Sequence, residues 1–265
     1  MAGVPNVTAI GTCRVHNPLS KLDKMGEIRL NHNPANQFVH TSGEIIQRIG
    51  VLRNGECFPR DVEEFIYDEG VKENKFRYPL EETDVFVIEI SSLKSVQFSN
   101  YHLQLNRLVN KAKEELGEGF GDWMATIRRE MKDGRDAVVE ISEFDGVPEL
   151  MGMSKIGMQD ELSLERDIRK IVSELGNRII FVNHIAIGKS DGQRLLSRDA
   201  LCKMMCRVVD RLGVNSFDPT NLVVENGRGE MLLRDGEDIN HYSDFGEEII
   251  GSALQLEIEN QLLTN

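Results

Sequence analysis

Cys13 closes a short apolar run, Val7 to Gly11, in the stretch Gly11-Thr12-Cys13-Arg14. A thiol at such a strand-to-helix turn meets the positive end of the helix dipole, which favours the thiolate, and Arg14 assists if it points the same way. Set against this is a plainer reading, a small residue finishing a buried strand, because free Cys is among the most buried residue types. Taken alone, Cys13 favours the plainer reading. Asp238-Ile239-Asn240-His241 holds a carboxylate and an imidazole three residues apart. On one side of a turn, the acid can fix the ring tautomer while the other ring nitrogen serves a nucleophile. The same four residues read equally as a polar loop before a helix, and only a nucleophile separates the two readings. Cys13 supplies one from the far end of the chain, and such partners are spatial, not sequential, neighbours.

The scaffold that brings them together is read from apolar periodicity. Asp84-Val85-Phe86-Val87-Ile88-Glu89-Ile90-Ser91-Ser92 is the clearest strand, its near-continuous apolar run marking a central position covered on both faces. Val7 to Gly11, Arg178 to Ile185 and Val214 to Phe217 are further strands. Ser42 caps a helix through Ile45, Ile46, Ile49 and Leu52. Further helices are Asp61 to Asp68, Leu162 to Leu175, Ser197 to Leu212 and about Asp244 to Leu263, the last with Asp244 and Glu247 as a capping pair. Lys94 to Leu116 carries apolar residues at helical spacing, Trp123 to Met131 reads as a helix and Ala137 to Ile141 as a strand. Strands separated by helices of this length imply βαβ crossovers, hence an α/β three-layer sandwich with a mostly parallel central sheet. A single domain over residues 1–265 is expected, with a helical insertion or lid at about 117–157. Ligands of such sheets sit at the carboxyl ends of the strands, where Cys13, Ser91, Ser92 and the Asp238/His241 pair fall. His184, after Asn183, falls at the same edge, either as a substrate contact or as a strand-end His with a backbone partner.

In order and position these blocks carry a resemblance. G-T-C at the end of the first strand is similar to the G-D-S block of the SGNH/GDSL hydrolase superfamily, with Cys where the nucleophilic Ser stands, and D-I-N-H resembles its D-x-x-H block. With the segment His40-Thr41-Ser42-Gly43-Glu44-Ile45-Ile46-Gln47, the Cys version more narrowly resembles the GSCFA-type branch. The resemblance implies an SGNH/flavodoxin-like sheet and a triad of Cys13, His241 and Asp238. It also exposes departures. The superfamily's G-x-N-D block has no counterpart, since the central strand ends Ile90-Ser91-Ser92-Leu93. Gly43 stands in for the second-block Gly, Ser91 or Ser92 for the third block, and the Cys13 amide is the surest oxyanion donor, an oxyanion hole needing donors near 3 Å from the developing charge.

Composition narrows the class. With 31 basic and 44 acidic residues the net charge is −13, which argues against nucleic acid and against an anionic membrane surface. No apolar run reaches the roughly 18–20 residues of a membrane span, and Met1 to Thr12 lacks the pattern of a signal peptide, so a cytoplasmic protein is expected. Four cysteines are too few for a disulfide scaffold. Cys202 and Cys206, at i and i+4 with Met204 and Met205 beside them, read as core; Cys57 has no visible partner. No second Cys/His pair at zinc-like spacing exists, and Gly117-Glu118-Gly119-Phe120-Gly121 follows a helix where a dinucleotide loop follows a strand, so neither metal nor cofactor is expected.

The leading expectation is a biosynthetic acyl-transfer enzyme, acyltransferase or hydrolase, working through a thioester on Cys13. Its partners are a small-molecule acyl donor, free or carrier-linked, and an acceptor. The alternative is a noncatalytic ligand-binding module on the same fold, motivated by the missing G-x-N-D block. A structural partner in an assembly is suggested only by the C-terminal helix, whose apolar residues Phe245, Ile249, Ile250, Leu254 and Ile258 are more simply core.

Overall fold

The computed structural model describes residues 3–31, 38–55, 57–67, 80–132, 154–189 and 191–264. Its first half runs β1 (Asn6–Ile10), α1 (Cys13–Met25), β2 (Arg29–Leu30), α2 (Ser42–Asn54), α3 (Arg60–Glu63), β3 (Val85–Glu89), β4 (Lys94–Phe98), β5 (Tyr101–Leu103), α4 (Leu105–Leu116) and α5 (Phe120–Lys132). Then follow β6 (Lys155–Met158), α6 (Glu161–Leu175), β7 (Ile179–Val182), α7 (Leu196–Leu212), β8 (Ser216–Phe217), α8 (Thr220–Glu225), α9 (Arg228–Met231), β9 (Leu232–Leu233), β10 (Asp238–Tyr242) and α10 (Asp244–Thr264).

Five parallel strands in the order β2-β1-β3-β7-β8 form the central sheet. Both faces are apolar because successive side chains alternate. Val7, Ala9, Val85, Val87, Ile180 and Val182 pack with α1 and α10 through Val15, Leu19, Ile250 and Leu254. Ile10, Phe86, Ile88, Ile179 and Phe181 pack on the other face with Ile45 and Ile49 of α2, Ile168 of α6 and Met205 of α7. This is the expected three-layer arrangement. The chain turns to opposite sides of β1 to make β2 and then β3, so the switch point, where a crevice opens above the strand ends, lies between β1 and β3.

Lys94 to Leu116 departs from its helical expectation. It begins with the hairpin β4–β5, in which Phe98 pairs with Tyr101 across Ser99 and Asn100, and β6 joins it in a three-stranded antiparallel sheet. Ser99 takes a positive φ of 54°, which the two-residue turn demands. Only Leu105 onward is helix. Trp123 is fully buried within α5, while the expected strand at 137–141 lies outside the described residues. Two caps differ as well. Thr41, not Ser42, caps α2, accepting the Glu44 amide at 3.3 Å. At α10, Ser243 Oγ accepts the Gly246 amide at 3.0 Å, and Glu247 turns instead to Asn17 and Lys21 of α1.

Candidate active site

The carboxyl ends of β1, β3 and β7 meet at the switch point, and four buried side chains join them. Gly11 ends β1 so close to β3 that a Cβ there would stand 2.7 Å from Glu89 Cβ and 2.9 Å from Val15 Cγ2. Only glycine permits that approach, which explains its place before Thr12. Thr12 caps α1, and its amide donates to Glu89 Oε2 at 3.0 Å while its hydroxyl donates to the same oxygen. Arg14 pairs with Glu89, Nη2 to Oε1 2.6 Å, and its Nη1 donates to the His184 ring, 2.8 Å from Nδ1. Burial, then the Arg14 charge, hold the His184 imidazole well below its ordinary range, so the ring is neutral and accepts. His184 therefore has the Arg14 side chain as a partner beside a backbone bond at Ile185, while its own carbonyl accepts the Cys202 thiol at 3.0 Å.

Cys13 is the first residue of α1, between these two anchored neighbours. Its thiol pKa is raised, chiefly by burial, with Glu89 and Glu247 adding to the rise and Arg14 opposing it. This corrects the expectation of a favoured thiolate: loss of water around sulfur, with the two carboxylates, outweighs the guanidinium and the backbone hydrogen bond, and the thiol form is favoured. Its amide lies in the first helical turn, where helix geometry supplies no acceptor.

The D-x-x-H segment is a strand. Asp238 pairs with Leu233 and Tyr242 with Leu232, so β10 advances four residues while β9 advances one. In a regular strand, residues i and i+3 face opposite sides; the bulge removes that alternation and lets His241 Nδ1 meet Asp238 Oδ2 at 2.9 Å. Asp238 also accepts the Asn240 amide at 3.0 Å, and its carboxyl lies below the usual range because these hydrogen bonds outweigh its desolvation. Arg198 clamps the bulge from α7, Nη1 to the Ile239 carbonyl 3.1 Å and Nη2 to Asn240 Oδ1 2.7 Å.

One cleft of about 540 Å³ receives Cys13 and His241 together, with Arg14, His184, Ser91, Ser92, His40 and Arg198 also in its walls. No hydrogen bond joins Cys13 to His241. Ser91 and Ser92 line the cleft, but both their amides donate to the His40 carbonyl, at 2.9 and 3.0 Å, and so are committed. Their hydroxyls remain, with Ser91 Oγ 2.9 Å from His40 Nδ1. Gly43 stands elsewhere. It lines the neighbouring groove, where a Cβ would meet the His102 ring at 2.2 Å, so close packing of that ring accounts for the glycine. His40 comes from a loop that the sequence allows at the mouth of the site, whereas Glu89 and Arg198 do not stand out as site residues from sequence. For Glu89 the signal was present: an acid inside the run Val-Phe-Val-Ile-Glu-Ile has to find a buried partner.

The remaining thiols fall outside the chemistry. Cys202 is buried, and burial pushes its thiol up to about 12; Cys206 accepts from Asn183 at 3.3 Å, and Cys57 is exposed. Among the described residues no three His, Cys, Asp or Glu side chains gather to hold a metal ion, and no helix is long and apolar enough to cross a membrane.

Residues 5–255 match the model of the family described as TviD N-terminal domain. The Vi polysaccharide biosynthesis protein TviD of Salmonella typhi is 27% identical over 268 residues, which cover 98% of this chain and 32% of that protein. The chain thus spans about a third of that relative's length. Among solved structures, a lipase/acylhydrolase from Enterococcus faecalis aligns over 97% of both chains at 12% identity and a TM-score of 0.46. A catalytic mutant of the acetylxylan esterase Axe2 from Geobacillus stearothermophilus aligns over 97% of this chain and 95% of its own at 14% identity and 0.44. At these scores neither likeness bears on chemistry.

Proposed function

The chain belongs to the TviD N-terminal domain family, and from this we propose an acyltransferase in which Cys13 carries the acyl group and His241, oriented by Asp238, moves the protons. The observation that carries the reading is the shared cleft: a thiol at the head of α1 and an imidazole with one nitrogen committed to a carboxylate open onto the same space. The G-T-C and D-x-x-H blocks, similar to those of SGNH hydrolases and of the GSCFA-type branch, support it. The name of the Salmonella relative, a polysaccharide biosynthesis protein, supports a saccharide hydroxyl as acceptor.

With Nδ1–H donated to Asp238, His241 offers Nε2 as the base. Substrate binding brings ring and thiol into reach, as free sites often hold such bonds long. His241 takes the Cys13 proton as sulfur attacks the carbonyl of an ester or thioester donor, free or carrier-linked. The carbon–sulfur bond forms, the bond to the leaving group breaks, and His241 returns the proton to that group. An acceptor hydroxyl then gives its proton to His241 and attacks the thioester; the new ester forms and the proton returns to Cys13. The Cys13 amide is the oxyanion donor we favour, since those of Ser91 and Ser92 are engaged. A thioester suits transfer because it is attacked more readily than an oxygen ester. Hydrolysis is the same sequence with water as acceptor.

Intact mass spectrometry after incubation with a short acyl thioester tests this. The expected result is one acyl adduct on Cys13, discharged faster by saccharide acceptors than by water, and absent in Cys13→Ala with turnover lower by about a thousandfold or more. Turnover retained in Cys13→Ala overturns the reading. An adduct discharged by water alone makes the enzyme a hydrolase, and binding without any adduct makes the protein a ligand-binding module.

A further inference from the structure

We propose that Glu89 is the positioning residue of the nucleophile: it fixes the Cys13 turn from both sides and opposes the Arg14 charge at the sulfur. The inference rests on the reading of Cys13 as nucleophile.

The geometry is unusual in having one side chain grip both sequence neighbours of the same residue. Glu89 accepts the Thr12 amide and hydroxyl on one carboxylate oxygen and faces Arg14 at 2.6 Å on the other. Glu89 and Arg14 are both buried, 0% and 6% exposed, so their attraction is little screened by water. Arg14 is further turned towards β7 by the His184 ring. The cation adjacent in sequence to the thiol is thereby fixed in place, and the Glu89 carboxylate paired with it opposes its pull on the sulfur.

Several charged and titratable groups face Cys13. Arg14 favours its thiolate, while Glu89 and Glu247 of α10 oppose it. Glu247 is itself tied to Asn17 at 2.7 Å and Lys21 at 3.5 Å. Tyr242, buried on β10, is neutral, its hydroxyl pushed far up by burial. Across the cleft stand His241, with Asp238 bonded behind it, and His40, Glu44, Lys94, His184 and Arg198. Removing the Glu89 charge frees Arg14 and stabilises the thiolate, while removing Arg14 leaves Glu89 unopposed and destabilises it.

The two variants therefore move sulfur in opposite directions, whereas loss of packing moves both the same way. The test is the pH profile of Cys13 alkylation by iodoacetamide, read by peptide mass spectrometry on the full chain, alongside turnover. Glu89→Gln should alkylate at least about threefold faster at neutral pH, its profile displaced to lower pH, and yet turn over more slowly because the turn has lost an anchor. Arg14→Gln should alkylate more slowly, its profile displaced to higher pH. Circular dichroism checks folding; should Glu89→Gln fail to fold, the charge-neutral pair Glu89→Gln with Arg14→Gln replaces it. Its profile is expected to lie at lower pH than that of Arg14→Gln alone, with turnover still reduced. Profiles that coincide with wild type, or shift the same way in Glu89→Gln and Arg14→Gln, overturn the proposal. For the pair, a profile that coincides with that of Arg14→Gln does so. Because alkylation is read without any acyl donor, opposite shifts in a protein that never forms an acyl adduct would sink the acyl-transfer reading and leave Glu89's control of Cys13 standing.

Discussion

Cys13 and His241 open onto one cleft but stand on scaffolds of opposite character. The thiol is held at the meeting of three strands of the central sheet, its neighbours Thr12 and Arg14 both tied to the fully buried Glu89. The imidazole stands on a bulged edge hairpin, its side chain 50% exposed, steadied by Asp238 and by the Arg198 clamp on the same bulge. The end that would form the covalent bond is thus built for fixed position. The end that would carry protons is built for access, on an element that can adjust by small movements when substrate arrives.

The largest effect expected from breaking this contrast lies at the exposed end. Asp238→Asn keeps the shape of the bulge but favours the wrong His241 tautomer, and turnover should fall by about a thousandfold to ten-thousandfold with the melting temperature nearly unchanged. A comparable loss of stability would mean that the hairpin is as structural as the Cys13 turn.

Next in size is a pH effect at the buried end. Glu44 lines the cleft beside His40 and is pushed up to about 7 by burial, against the pull of the His40 amide and the Thr41 hydroxyl. A raised carboxyl favours the folded state when protonated. That contribution is complete below its ordinary 4.5 and is lost as pH rises through about 7. Urea unfolding should show wild type losing about 3 kcal/mol more than Glu44→Gln between pH 4 and pH 8. Equal pH dependence in the two proteins would remove Glu44 from the strained charges of this end.

Gly11→Ala comes third. Its Cβ would press on Glu89 and Val15, and about 2 kcal/mol of destabilisation is expected in the same unfolding experiment, with slower Cys13 acylation. An unaffected protein would show the β1–β3 approach to be looser than the distances indicate. Smallest is Arg211→Ala, which breaks exposed pairs with Glu161 and Glu165. The smallest change of the series in unfolding midpoint is expected, and a smaller one still at high salt. A larger effect would blur the distinction between buried and surface charge on which the contrast depends.

How far these features could be read in advance followed from physics local to each. The sheet was legible because its strands are buried on both faces and so are apolar without interruption, as in Val85 to Ile90. Cys13 was legible through its place after Gly11. The hairpin at Lys94 to Leu103 was hidden because Leu93, Val96 and Leu103 also fit helical spacing, and its turn uses Ser99 where glycine would have announced a positive φ. The bulge of β10 was hidden for a different reason: it is a property of two strands in register, and neither strand shows it alone. The thiol's protonation was misjudged because a helix terminus is visible in sequence, whereas the burial that overrides it is the work of the whole fold.

That protonation has a bearing on endurance. Peroxide and related oxidants attack thiolates far faster than thiols, and the later steps of sulfur oxidation are irreversible. If Cys13 is the proposed nucleophile, resting with its proton on and surrendering it only to a base would shield it between turnovers from the damage to which permanently ionised cysteines are prone. On the proposal for Glu89, the carboxylate that opposes Arg14 at the sulfur is also a form of chemical preservation.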